Sequence, residues 1–183
     1  MMRFDDITKD GRLWSVRYEG EDDNALFQSF AQWNDVEWLR NFFCENKEDL
    51  ASFFKVTNVN EAIYDTIEDS DTLACLILDL SPDADLERLF RPLDNRQTAA
   101  LMLDKGKAKL KNNVRHPSWL RLYAIRLEEG VFIVTGGAIK LTATMAEREH
   151  TLQELEKMEK VRNFLLDEGI VDRDSFTDYQ DSL

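Results

Sequence analysis

Glycine is scarce in this 183-residue chain, with 7 in all, and neither a G-x-x-x-x-G-K nor a G-x-G-x-x-G run occurs. Both fingerprints use glycine to bring backbone N–H groups against phosphates, so the two common nucleotide cradles are not expected. The only histidines are His116 and His150; with no H-x-x-x-H and no closely spaced cysteines, zinc has no ligand set. The segment "SPDAD" lacks the D-x-[DN]-x-[DN]-G spacing of a calcium loop. No metal and no cofactor are therefore expected. The two cysteines, Cys44 and Cys75, each lie within a helix-like pattern, which suits buried thiols in a reducing compartment better than a disulfide framework. No apolar run approaches the roughly 18 residues of a membrane span, and "MMRFDDITKDGR" has no apolar signal core, so a cytoplasmic protein without a membrane partner is expected.

What the chain has in excess is acid. Its formal net charge is −13, yet residues 96–126 hold 8 Lys and Arg against 1 Asp or Glu. A basic island thus lies between two acidic blocks. Because exposed charges are screened beyond about 8 Å at physiological salt, a segregated basic face survives an acidic remainder. Hydrophobic content of 43% with 32% charged residues places the chain among soluble globular proteins, and its length suits a single domain, 1–183.

Within that domain, residues 1–94 read as mainly helical, after one strand in "LWSVR". Asn34 or Asp35 is positioned to cap either one helix or a helical hairpin broken near Asn46, and Asn58 with Glu61 has capping-box spacing before a run with helical apolar rhythm. Ser81 and Pro82 suit the start of a further short helix. Residues 95–117 form a basic connector in which Lys105, Lys107, Lys109 and Lys111 alternate around Gly106. A solvated loop or ragged helix is the simplest reading of such a charge run. Residues 118–170 read as a meander followed by a helix. "WLRLYAIRL" is apolar on both faces, as in a strand covered on each side. "EEG" is a hairpin turn with Gly130 available for positive φ, "VFIVT" is the return strand, and Gly136 and Gly137 permit a bulge or sharp turn before a third strand, "AIKLT". Thr151 and Glu154 have capping-box spacing for the last helix, and the acidic tail, 171–183, carries Phe176 and Tyr179 as possible anchors. The fold expected is α+β: N-terminal helices packed on a small, mostly antiparallel sheet, closed by a C-terminal helix.

This order of elements, with "LRLYAIRL", a turn and "VFIVTGGAIKLT", resembles the RelE/HigB-like toxin superfamily and its phage-derived relatives. The likeness spans about residues 85–165 and rests on Arg121, Tyr123, Gly136, Gly137, Lys140 and Thr142. It implies a RelE-like meander, binding to RNA or a ribosomal surface, metal-independent endoribonuclease activity on messenger RNA, and neutralisation by an antitoxin. Cleavage through an attacking 2′-hydroxyl needs proton transfer and positive charge around the phosphate. Arg121, Tyr123, Lys140 and His116 are the candidates for that chemistry, and Lys105, Lys107, Lys109, Lys111, Arg115 and Arg126 for holding the nucleic acid. The overall acidity supports a different expectation, a non-catalytic interaction or regulatory protein, such as a phage or mobile-element accessory, whose acidic face engages a basic partner.

Overall fold

The structure, a computed structural model, describes residues 1–80, 82–94, 101–110 and 115–183. Among them run β1 (Arg3–Asp6), β2 (Leu13–Arg17), α1 (Ala25–Trp33), α2 (Val36–Glu45), α3 (Lys47–Phe54), α4 (Val59–Leu78), α5 (Leu86–Leu89), β3 (Phe90–Pro92), β4 (Asp104–Ala108), β5 (Leu120–Glu128), β6 (Val131–Ile139), a single 3-10 turn (Met145–Glu147), α6 (Glu149–Asp167) and α7 (Arg173–Asp181). The six strands form one mixed sheet in the order β1-β2-β6-β5-β4-β3, antiparallel everywhere except between β2 and β6. The α+β architecture, with a mostly antiparallel sheet, is as expected.

The doubly apolar β5 sits inside the sheet with a separate core on each face. Leu120, Leu122 and Ala124 join Trp33, Leu39, Phe43 and Leu73 from the N-terminal helices, while Tyr123, Ile125 and Leu127 join Met158, Val161, Leu165 and Phe176 from α6 and α7. This follows from the period of two along a strand: consecutive residues serve opposite layers. Local signals hold at several ends. Asp35 caps α2 through Trp38 N, Asn58 caps α4 through Asn60 and Glu61 N, and Asn46 separates α2 from α3.

Other expectations are corrected. Residues 1–94 are mainly helical but hold three strands instead of one, and β2 pairs with both β1 and β6. The lysine run is not a loop or helix where it is described: Asp104–Ala108 is a strand between β3 and β5. Alternating lysines were the period of two itself, with charge standing in for the usual apolar side chains. Gly136 and Gly137 do not turn the chain into a third strand; β6 runs through both to Ile139, and the bulge alternative is what is found, with Thr135 as the extra residue opposite Tyr123 and Ala124. The capping box lies at Thr144 and Glu147, whereas Thr151 is buried and donates to Met145 O at 2.5 Å. Short helix α5 is capped by Asp85; Ser81 lies outside the described residues. Cys44 and Cys75 are both exposed. The tail docks: Phe176 is buried, packing edge-on against Phe4 and Trp14 at ring distances of 5.3 and 4.9 Å.

Candidate functional site

On the α6 face of the sheet a cleft of about 500 Å³ opens between β4, the C-terminal end of β6 and the 3-10 turn, lined by Lys107, Tyr123, Lys140 and Thr144 among others. Strand register explains the meeting. Lys107 lies opposite Tyr123 across β4 and β5, and Arg121, two residues earlier on β5, is on Tyr123's face. Lys140 follows β6 directly, its N–H donating to Trp119 O at 2.8 Å, which carries it beside the start of β5.

The cations in this corner are held at their charged tips by backbone carbonyls. Arg121, 8% exposed, donates from Nη1 to Ser118 O and Leu120 O at 2.7 and 2.8 Å. Lys140 Nζ donates to Ala143 O at 2.8 Å, and Lys107 Nζ to Leu93 O at 3.1 Å. Burial pushes the ammonium pKa of Lys107, Lys109 and Lys140 below the lysine range, and the Arg121 guanidinium adds to the effect on all three. Burial lowers that of Arg121 as well. Four positive groups thus stand near enough to repel one another, with Asp94 and Glu147 offering partial relief to Lys107 and Lys140 respectively. An anion placed here would offset the mutual repulsion and the cost of burying these charges. The Tyr123 phenol is fully buried without a hydrogen-bond partner, and burial raises its pKa, so it is held as a neutral donor.

The remaining sequence candidates lie elsewhere. Lys105 shares the α6 face but pairs with Glu159 of α6. Arg126 is on the other face, where it meets Glu87 at 2.7 Å. His116, buried on the helical side, has Nε2 2.8 Å from Asp65 Oδ2 of α4 and Nδ1 2.9 Å from Pro117 O, and stacks on Trp119 at 4.2 Å. Arg115 reaches the same carboxylate at 3.2 Å. These contacts make a tie between α4 and the approach to β5; neither residue lines the cleft, contrary to the role expected of His116. Lys111 lies outside the described residues.

Residue reading missed Thr144 and the loop around it, although the T-x-x-E spacing at Thr144 and Glu147 was there to be found. It also read Glu154 of α6 as a capping residue, whereas its carboxyl is a buried group under the sheet. This side chain is buried, with Oε1 accepting from Lys157 at 2.7 Å and Oε2 unpartnered, and burial raises its pKa. Among the described residues no cluster of three or more His, Cys, Asp or Glu can hold a metal, and no helix is long and apolar enough to cross a membrane. Comparison with family models, curated proteins and solved structures gave no match.

Proposed function

We propose that this chain is a RelE-related protein of the toxin-antitoxin type that binds RNA through the cleft between β4 and the end of β6, and that cleavage of messenger RNA is its activity. The observation carrying the reading is the collection of Lys107, Lys109, Arg121 and Lys140 in one corner of a chain whose net charge is −13. Buried Arg121 fits the role of a fixed charge at the phosphate, since guanidinium stays protonated and is only weakly hydrated. A lysine whose pKa is depressed is better suited than an ordinary one to exchange a proton near neutral pH, which assigns Lys140 or Lys107 to the attacking or leaving oxygen. Tyr123 supplies a neutral donor behind them. His116 has no part in this scheme.

Expression of the full chain in a bacterial host tests the reading. Growth should stop with the wild type and continue with Arg121→Ala and Lys140→Ala. Harmless wild-type expression at a demonstrated protein level removes the cleavage activity from the proposal. A second reading, an interaction protein using an acidic face, is favoured by α4, a helix with no Lys or Arg whose solvent-facing side carries Glu61, Glu68 and Asp71.

A further inference from the structure

On the helical side of the sheet, away from the cationic cleft, α4 and α5 border a shallow, open groove of about 850 Å³. One wall is the last two turns of α4, presenting Asp71, Cys75 and Asp79 in a row at i, i+4, i+8 with Leu76 beside them; the other is formed by Ala84, Asp85 and Leu89. Leu76, 49% exposed, joins Leu80 and Leu89 in the apolar lining of the groove.

Charge says what fits. The last turn of α4 carries no basic residue, so its carbonyl end, with the partial negative charge of the helix dipole, is left beside Asp79 without a cation from its own helix. Arg88, the one cation lining the groove among the described residues, is drawn to Asp85 at 3.4 Å. An apolar floor, a carboxylate at either end of the α4 wall and a negative helix terminus complement an amphipathic helix whose aliphatic stripe is bordered by Lys or Arg. The α4 wall from Asp71 to Asp79 is about 12 Å long at 1.5 Å per residue, a little over two turns of such a helix.

We propose that this groove seats a cationic amphipathic helix of a partner protein, with aliphatic side chains entering beside Leu76 and Leu89 and basic ones meeting Asp71 and Asp79. The proposal deepens the acidic-face reading and rests on it; it is independent of the RNA cleft.

The test uses the full chain and two helical peptides of about 18 residues sharing one leucine stripe, bordered by lysine in the first and by glutamate in the second. Cys44→Ser leaves Cys75 as the single thiol, a reporter inside the groove. The lysine peptide should bind in fluorescence anisotropy and slow alkylation of Cys75, while the glutamate peptide does neither. Leu76→Asn and the pair Asp71→Asn/Asp79→Asn should each weaken binding about tenfold or more. All three positions are exposed, so the variants keep the fold, as far-UV circular dichroism verifies. Lys140→Ala should leave binding unchanged. Binding that survives the groove substitutions but falls in Glu61→Gln/Glu68→Gln, on α4 outside the groove, overturns the groove while keeping an acidic-face partner. Failure of the lysine peptide to bind at all overturns both.

Discussion

Gly136 and Gly137 are adjacent in an extended strand, and each is glycine for the sake of a different layer. A Cβ at Gly137 would lie 2.7 Å from Ser29 Oγ and 2.9 Å from two ring carbons of Trp33, on α1. At Gly136 the space is taken by the Glu154 carboxylate of α6. Trp33 is fully buried and has nowhere to go, whereas a glutamate tip can swing, so Gly137→Ala is expected to cost about 2–3 kcal/mol and Gly136→Ala less, measured by urea denaturation. Glu154 itself gives a pH-dependent result. Burial raises its carboxyl pKa, so the native state keeps a proton over a pH range in which the unfolded chain has lost it. Stability is therefore unpenalised below the ordinary glutamate value of about 4.3 and declines as pH rises through the raised native value. Glu154→Gln removes that decline. The variant should match the wild type near pH 4 and exceed it by about 1 kcal/mol at neutral pH, and parallel stability curves would refute the assignment.

At the scale of elements, the structure separates what a chain writes locally from what it leaves to its neighbours. Helix α4 was legible because Asn58 and the apolar rhythm both act within one helix, and β5 because apolarity on both faces has one common cause. Strand β4 was not legible. Its lysines are tolerated because Lys105 finds Glu159 on α6 and Lys107 finds Leu93 O, and those partners are distant in sequence or hidden in a loop. The parallel pairing of β2 with β6 joins strands more than a hundred residues apart and leaves no local mark. The candidate site was half legible: Arg121, Tyr123 and Lys140 were visible together on the β5–β6 hairpin, but which lysines of the connector join them depends on the β4 register. Helix α7 shows the same division, since its sequence offered Phe176 as an anchor without saying to what. It closes over Phe4 and Trp14, so Phe176→Ala should cost about 3–4 kcal/mol and expose Arg173–Asp181 to early proteolysis. Unchanged thermal stability would mean that α7 contributes nothing to the α6-side core.

Across the whole molecule the sheet stands between the acids of α4 and the cations of the cleft. The cation-free α4 lies in the helical layer, while Lys107, Lys109, Arg121 and Lys140 gather beyond the opposite face of the sheet, where the sheet and its two cores keep the acids of α4 away from them. Such separation would let an acidic protein keep the proposed anion site, at the expense of slow approach, because a polyanion senses the net field before it senses the cleft. RNA binding should accordingly weaken with salt, as for any phosphate contact, but its pH dependence is diagnostic. The two lysines lining the cleft, Lys107 and Lys140, have pKa values pushed below the ordinary lysine value of about 10.4, so they begin to lose their protons earlier than surface lysines do. Bound phosphate favours the charged forms; binding therefore takes up protons, and affinity must fall as pH rises through the depressed range. Anisotropy of a labelled single-stranded RNA, titrated from about pH 7 to about pH 10, should show this fall in the wild type. Lys140→Arg keeps its charge throughout and should flatten the curve, while Lys140→Ala should reduce the salt slope by roughly one phosphate contact. Affinity that is constant until ordinary lysines titrate, with a salt slope indifferent to Lys107→Ala and Lys140→Ala, would place any bound RNA on some other surface.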